Sequence, residues 1–194
     1  MKKFIITIGR SYGSGGRMVG QKIAEDLGVK CYNSELLIEA AKESGLCNEV
    51  FQKADEKPIS AFLSFAATKY ESGEMPLNHK VFLAQMQTIK KIAERESCVI
   101  VGRCADYVLR NRDDVINVFI HAPLENRVQR VIERDGVVPG KAEKRVKRID
   151  KERASYYNFY STKKWGASES YDICLDSAKF GIEGCAKIIE SLIK

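Results

Sequence analysis

Short apolar runs alternate with amphipathic stretches along most of the chain. The runs at residues 4–8, 29–32, 98–102, 115–121 and 171–175 have the length and continuity of strands that are buried on both faces. Apolar residues then recur at helical spacing in the segments that follow them: 19–27, 35–42, 81–94, 105–110, 124–134, 146–160 and 182–193. Repeated strand–helix units predict a parallel sheet with helical crossovers, in which ligands bind at the carboxyl ends of the strands.

Residues 45–79 do not fit this alternation. Their pattern is helical but irregular, with breaks at Pro58, Gly73 and Pro76. We interpret this region as an insertion between the second strand and the helix that leads to the third.

The first strand runs directly into a glycine cluster and then into a helix. Gly13, Gly15 and Gly16 lack a Cβ, so the backbone can turn with its N–H groups pointing at an anion beside a helix N-terminus. This arrangement predicts a phosphate site. The alternative is that the glycines serve only to make a tight turn.

The loop departs from the usual phosphate-loop pattern G-x-x-x-x-G-K-[ST]. Gly16, Arg17 and Met18 follow Gly15, so the lysine and the metal-ligating hydroxyl are both missing. Arg17 is the candidate cation within the loop, and Ser14, Ser11 or waters would complete a magnesium shell. Phosphoryl transfer depends mostly on positioning and electrostatic stabilisation, so several arginines can still support it.

Composition indicates one cytoplasmic domain. The chain has 194 residues, 44% hydrophobic and 30% charged, and no segment has the length or polarity pattern of a membrane span or a signal peptide. The six cysteines include no C-x-x-C pair, which argues against a zinc site. We expect reduced thiols, mostly packed as small hydrophobes.

The net charge of +6 is concentrated in residues 127–153, which hold ten basic and five acidic residues. This segment has no interleaved aromatic residues before Tyr156, which argues against nucleic acid as a partner. Arginines dominate its start and suit a bidentate grip on discrete phosphates. A solvated helix face is the alternative.

Several charged residues are placed where a ligand of such a sheet would bind. Arg103 directly follows the third strand and would neutralise a second phosphoryl group, unless it pairs with Asp106. Arg127 and Arg130 share one face of their helix with Arg134. Asp150, Arg153 and Tyr157 align on the next helix, which is either a lid that closes on nucleotide or a permanently docked helix.

Six segments together resemble the cytidylate-kinase-like branch of the P-loop nucleoside monophosphate kinases. They are G-R-S-Y-G-S-G-G-R, Y-N-S-E-L-L-I-E-A-A, V-I-V-G-R-C-A-D-Y, F-I-H-A-P-L-E-N-R-V-Q-R, D-K-E-R-A-S-Y-Y-N-F-Y-S and Y-D-I-C-L-D-S. The resemblance implies a three-layer α/β fold with a parallel five-stranded sheet in the order 2-3-1-4-5. It also implies a helical acceptor-binding insertion at 33–79 and a helical lid at 142–166 within a single domain at 1–194.

The resemblance implies a role for each candidate residue. Donor phosphates of ATP would be held by Ser11, Tyr12, Gly13, Ser14, Gly15, Gly16 and Arg17, with Mg²⁺ reached by Ser14 through water. The acceptor would contact Asn33, Arg103, Asp106, Arg127 and Arg130, and catalysis would involve Arg17, Arg127, Asp150 and Arg153. Asn33 stands where the family often has an aspartate.

The predicted activity is ATP-dependent phosphorylation of a small phosphorylated acceptor, with CMP or dCMP favoured. Three alternatives stay open: a kinase of another small molecule, a nucleotide-binding regulator without turnover, and a lid that docks nucleic acid. The missing lysine favours the regulator, whereas the clustered Arg103 and Arg127 favour an enzyme. The sequence indicates neither the oligomeric state nor a membrane partner.

Overall fold

The computed structural model describes residues 2–33 and 77–193. Five strands form one parallel sheet: β1 (Ile5–Arg10), β2 (Lys30–Tyr32), β3 (Cys98–Val101), β4 (Val115–His121) and β5 (Ile173–Asp176). Their order across the sheet is β2-β3-β1-β4-β5, which confirms the predicted topology. The carboxyl ends of β1 and β3 are therefore neighbours, and so are those of β1 and β4.

Six helices lie in the described part of the chain. They are α1 (Gly16–Asp26), α2 (Leu77–Arg95), α3 (Ala105–Val108), α4 (Leu124–Asp135), α5 (Pro139–Tyr160) and α6 (Ser177–Glu190), and a single 3₁₀ turn (Ser168–Ser170) precedes β5. No helix of this part is both long and apolar enough to cross a membrane.

The sheet is covered on both faces, as the continuous apolar strands predict. On one face, alternate β1 side chains such as Ile6 and Ile8 pack with Val19 and Ile23 of α1 and with Ile189 of α6. On the other face, Ile5 and Ile100 pack with Ile89 and Ile92 of α2 and with Val108 of α3. The alternation of β1 side chains between the two layers makes the fold three-layered.

A third cluster is aromatic and lies beside α5. Phe82, Phe119, Tyr157 and Tyr171 are buried there, and Trp165 packs against them among other partly buried aromatic residues. This cluster joins α2, β4, α5 and the segment before β5. It places the middle of α5 next to the carboxyl ends of the strands.

Most predicted elements are confirmed, with shifted ends. Helix α5 begins at Pro139, seven residues before the predicted start, because residues 139–145 are mostly solvent-exposed and carry little apolar periodicity. Helix α6 begins at Ser177 and is kinked at Gly181, whose φ of 70° is not helical. Strand β5 starts at Ile173 and not at residue 171.

The predicted helix at 35–42 and most of the predicted insertion at 33–79 lie outside the described residues. Asn33 and residues 77–79 are the exceptions: Asn33 directly follows β2, and residues 77–79 belong to the first turn of α2. The division of the chain into an insertion and a lid stays a prediction.

Candidate active site

The loop between β1 and α1 has the backbone that its glycines predict. Gly13 and Gly15 have φ values of 80° and 78°, in the left-handed region that L residues disfavour. The loop is also closely packed from outside. A Cβ on Gly13 would lie 2.6 Å from the carbonyl oxygen of Arg127, and one on Gly15 would lie 2.6 Å from Cδ1 of Ile182. Gly13 is required for both shape and space, whereas Gly15 is required mainly for its backbone conformation because the end of the Ile182 side chain can shift.

Part of the loop is hydrogen-bonded within the protein. The N–H of Ser11 donates to Ile120 O (3.0 Å), that of Ser14 to Ser11 O (3.2 Å), and that of Tyr12 to Oδ1 of Asp150 (2.7 Å). Within the described residues, this leaves the amides of Gly13, Gly15 and the first turn of α1 as donors for an external anion. Among the described residues, the loop amides that can still serve an external anion therefore lie mainly in the second half of the loop.

Ser14 stabilises the loop from its buried side. Its side chain is fully buried, with Oγ 2.8 Å from Ser11 O and 2.9 Å from Ile120 O. Its carbonyl accepts a hydrogen bond from Oγ of Ser177 at the start of α6. In this conformation the hydroxyl does not face the cavity, so its contact with magnesium stays a prediction.

Two arginines of α4 hold the loop by its carbonyl groups. Arg130 donates from Nη1 to Gly13 O (2.7 Å), and Arg127 donates to Tyr12 O (3.2 Å) and to Ala122 O (3.0 Å). Arg127 also forms an ion pair with Asp150. Neither arginine is among the residues that line the cavity described below. Their predicted contact with an acceptor stays a prediction, and the contacts observed are with the protein.

Helix α5 is docked on the same loop. Asp150 accepts from the Tyr12 amide while it pairs with Arg127, and Nη1 of Arg153 donates to Arg10 O at 3.1 Å. The Arg153 guanidinium lies 5.4 Å from the centre of the Tyr12 ring. Burial lowers the pKa of Arg153 to about 10. The alignment of Asp150 and Arg153 that the helical spacing predicts is therefore observed, with α5 against the loop.

Arg103 lies at the carboxyl end of β3 in an unusual turn. Gly102, Arg103 and Cys104 all have positive φ values, of 81°, 61° and 54°. Two consecutive left-handed residues other than glycine cost roughly 1–2 kcal/mol each. Such strain is common where a side chain must be aimed at a functional site. The Arg103 guanidinium lies 5.7 Å from the centre of the Tyr156 ring.

Asp106 is not the ion-pair partner of Arg103. It is 6% exposed and accepts a 2.5 Å hydrogen bond from the hydroxyl of Tyr157. Burial raises the pKa of the Asp106 carboxyl, although the bond from Tyr157 acts in the opposite direction. The carboxyl group borders the cavity, so its predicted contact with an acceptor stays a prediction that the position allows.

Arg10 is a site residue that sequence reasoning missed. It is the last residue of β1, and its side chain crosses to the end of β3, where a Cβ on Gly102 would overlap its Nη1. Burial and the charges of Arg153, Arg103 and Arg17 lower the pKa of Arg10. The signal was available, because Arg10 occupies a carboxyl-end position of the same kind as that of Arg103.

These side chains surround a cavity of about 870 Å³ at the carboxyl end of the sheet. This volume is at the large end of the range for small-molecule sites. Its lining includes a basic set (Arg10, Arg17, Arg103, Arg145, Arg148 and Arg153) and an aromatic set (Tyr12, Tyr156, Tyr157, Trp165 and Tyr171). Asn33, the last described residue before the gap, is not part of this lining.

Metal ligands are scarce in the described part of the chain. No group of three or more histidine, cysteine, aspartate or glutamate side chains is arranged there to hold an ion. Five cysteines in the same part are free thiols, and burial raises the pKa of Cys104 to about 12.

Relatives with similar sequences carry the same name. The chain is 28% identical over 193 residues to the cytidylate kinase of Pyrococcus horikoshii, which covers 98% of this chain and 88% of that protein. It is 30% identical over 192 residues to the cytidylate kinase of Archaeoglobus fulgidus, which covers 95% of this chain and 91% of that protein.

Solved structures agree with the fold. An uncharacterized protein from Eubacterium ventriosum superposes with a TM-score of 0.77 at 33% identity and 98% coverage of both chains. Shikimate kinase from Acinetobacter baumannii, in complex with shikimate, matches with a TM-score of 0.53 at 18% identity, covering 98% of this chain and 92% of that one. At that identity the second match shows the fold alone.

The sequence model of the Cytidylate kinase-like family matches residues 5–179. That span runs from the first residue of β1 into α6, so it includes the glycine loop, the turn at Arg103, and both α4 and α5. With its parallel sheet in the order 2-3-1-4-5 and its arginine-lined cavity, this chain belongs to the cytidylate kinase-like family.

Proposed function

We propose that this protein transfers the γ-phosphoryl group of a nucleoside triphosphate to a small phosphorylated acceptor, with CMP or dCMP as the acceptor and ATP as the donor. The observation that carries the proposal is the convergence of Arg10, Arg103 and Arg153 on one cavity beside a phosphate-type loop. Guanidinium groups repel one another, so their grouping is favourable only when several negative charges bind among them.

The donor binds at the second half of the glycine loop. The amides of Gly13, Gly15 and the first turn of α1 provide hydrogen-bond donors beside the positive end of the helix. Arg17, exposed on that first turn and lining the cavity, adds charge on the outer phosphates. Ser11, Tyr12 and Ser14 keep the loop in shape through the hydrogen bonds described above.

The phosphate of the acceptor binds between Arg103 and Arg153. Arg103 is aimed by its left-handed turn and by the Tyr156 ring, and Arg153 is held by its bond to Arg10 O. Asp106, which borders the cavity, contributes a polar contact to the rest of the acceptor, and the contact of Asn33 stays a prediction because Asn33 is not among the lining residues. Arg127 and Arg130 act mainly by holding the loop, and a direct contact with the acceptor would require them to release the carbonyls that they bind now.

A phosphorylated acceptor suits the chemistry of these side chains. An acceptor phosphate oxygen forms the new bond to the γ-phosphorus, and the bond from that phosphorus to the β,γ-bridging oxygen breaks, leaving the electron pair on the diphosphate. ATP and CMP would thus give ADP and CDP. An ionised phosphate needs no general base, and the carboxylates nearest the loop, Asp150 and Asp135, are already engaged by Arg127 and Arg134.

Positive charge is what this transfer requires of the protein. The arginines neutralise the charge that develops on the transferred group and the leaving oxygen. Magnesium, when it enters with the triphosphate, supplies further charge of the same kind. Helix α5 and the aromatic lining exclude water from the transferred group, which disfavours hydrolysis of the donor.

One observation supports a second candidate function, that of a nucleotide-binding regulator without turnover. Position 16 has no side chain to follow the transferred phosphoryl group, and the Tyr12 amide is occupied by Asp150. A regulator would bind the triphosphate without needing either group. The names of the relatives and the arginines on the acceptor side favour the enzyme.

A turnover assay separates these candidates. The protein is incubated with ATP, Mg²⁺ and one acceptor at a time (CMP, dCMP, UMP, AMP, cytidine or shikimate), and ADP release is measured. We expect turnover with CMP or dCMP and none with cytidine. Triphosphate binding by calorimetry without turnover on any acceptor would support the regulator, and turnover on a neutral alcohol alone would support a kinase of another small molecule.

A further inference from the structure

Two positions of the glycine loop are exchanged relative to the usual pattern. When G-x-x-x-x-G-K is placed with its second glycine at Gly15, its first glycine falls at position 10 and its lysine at position 16. In this chain position 10 is an arginine and position 16 is a glycine. The loop has not simply lost its cation, since a cation stands at the other end of the same motif.

The structure shows that these two positions touch. A Cβ on Gly16 would lie 2.5 Å from Cβ of Arg10 and 3.1 Å from its Cγ. Both atoms belong to the fixed root of the arginine side chain, so it could not move aside. Only one of the two positions can carry a side chain in this packing. The arginine at position 10 therefore requires a glycine at position 16.

A second glycine makes room for the other end of Arg10. Gly102 follows β3 with a φ of 81°, and a Cβ there would overlap Nη1 of Arg10. The guanidinium lines the cavity beside the phosphate loop. It donates no hydrogen bond to any other residue that the structure describes. The guanidinium therefore has N–H donors that no described residue engages, and an anion in the cavity can accept hydrogen bonds from them.

We propose that Arg10 is the cation that contacts the outer phosphates of the donor, in the role that a lysine at position 16 has in the usual loop. The inference rests on the proposed function, because it assigns a residue to the same phosphate site. An arginine that enters from the end of β1 can form two parallel hydrogen bonds to a phosphate, whereas a lysine offers a point charge. Arg17, on the outer side of the first turn, adds to its charge.

The test uses three variants. Arg10→Gly removes the cation from position 10, Gly16→Lys adds one at position 16, and the double variant moves the cation from position 10 to position 16. The probe is inorganic tripolyphosphate, titrated by calorimetry. We expect Arg10→Gly to weaken its binding about 10- to 100-fold, as the loss of a charged hydrogen-bond donor predicts. The double variant should recover at least tenfold of that loss. Gly16→Lys alone should lower the melting temperature, because its Cβ meets Arg10.

Two further variants act as controls. Arg10→Met keeps the packing of the side-chain stem and should lose binding as Arg10→Gly does, with circular dichroism checking the fold of each protein. Arg110→Met removes an exposed arginine that stacks on Tyr107 outside the cavity, and should bind tripolyphosphate as the wild type does. Unchanged binding in both Arg10→Gly and Arg10→Met would overturn the inference, and so would a double variant that recovers nothing.

The outcome is separable from that of the proposed function. If the wild type releases ADP with CMP but Arg10→Met keeps its kcat, the inference fails and the function stands; we expect instead a loss of about 10²- to 10³-fold in kcat. If the wild type turns over no acceptor while tripolyphosphate binding still depends on Arg10, the function fails and the inference stands.

Discussion

Two sets of arginines flank the glycine loop, and they do different things. Arg127 and Arg130 of α4 donate to loop carbonyls, and Arg127 is also paired with Asp150. Arg10 and Arg103, at the ends of β1 and β3, line the cavity together with Arg153 of α5. A guanidinium whose donors are filled by the protein shapes the site, whereas one that faces other guanidiniums requires an anion. The sequence alone placed Arg103 and Arg127 in one group.

The largest effect is expected when the loop-holding set is broken. Arg127→Met leaves Asp150 without its ion pair, although the two side chains are only 14% and 17% exposed. We expect a loss of about 3 kcal/mol in the free energy of unfolding, at the low end for an unpaired buried charge because some exposure remains. Urea denaturation measures it.

The control for that experiment is a double variant that also removes the negative charge of Asp150. Arg127→Met with Asp150→Asn should recover part of the loss, because no unpaired carboxylate is left. An Arg127→Met protein with wild-type stability and a strongly raised KM for CMP would contradict the comparison and would favour the direct acceptor contact that the sequence predicts.

Substitution in the cavity-facing set (Arg10, Arg103 and Arg153) should lower activity and leave stability nearly unchanged. Arg103→Met is expected to remove about 2–4 kcal/mol of transition-state stabilisation, mainly as a higher KM for the acceptor, with little change in ATP affinity. Its melting temperature should change little, since the Arg103 side chain lines the cavity beside the Tyr156 ring and forms no ion pair with a described residue. Steady-state kinetics with CMP, together with thermal unfolding, checks both parts. A large loss of stability with unchanged KM would place Arg103 in the loop-holding set.

Gly13 tests the loop itself. Gly13→Ala should lower the free energy of unfolding by more than about 1–2 kcal/mol, the cost of a left-handed alanine, because its Cβ also meets the Arg127 carbonyl oxygen. Gly28→Ala is the matched control, since Gly28 has a φ of 64° and a Cβ added there would have nothing within 4 Å. Equal losses in the two variants would mean that the contact with α4 is unimportant for the loop.

The smallest effect concerns the pH dependence of stability at Asp106. Burial raises its pKa above the ordinary value of 3.8, so the folded state holds this proton more tightly than the unfolded state. Protonated Asp106 thus contributes stability at low pH, and this contribution is lost as the pH rises through the folded-state pKa of its carboxyl group. Asp106→Asn, which has no proton to lose, should therefore gain stability relative to wild type as the pH rises above 3.8. A difference that stays constant with pH would contradict the assignment.

Much of the fold could be predicted from short sequence patterns and from the order of motifs along the chain. Buried strands, the glycine loop and the strand order follow from apolar runs, residues without a Cβ and the resemblance of the ordered motifs. The start of α5 was missed because its first turns face solvent. They therefore carry no apolar periodicity from which a helix could be predicted. Arg10 stands at a carboxyl-end position, but the sequence does not show that the space left by Gly16 and Gly102 is filled by the Arg10 side chain.

The pairing of Arg127 with Asp150 is equally non-local. The two residues are 23 positions apart on different helices, and only the docking of α5 on the loop brings them together. Sequence reasoning identified both as charged residues near a phosphate site. It could not tell which guanidinium groups the protein itself would satisfy.

The central claim is that Arg103, together with Arg153, holds a second phosphate group beside the donor. Calorimetric titration of CMP and of cytidine into protein saturated with a non-hydrolysable ATP analogue tests it most directly. We predict that CMP binds and cytidine does not, and that Arg103→Met abolishes CMP binding while the affinity for the ATP analogue is retained. Equal affinities for CMP and cytidine, or CMP binding that survives Arg103→Met unchanged, would contradict the claim.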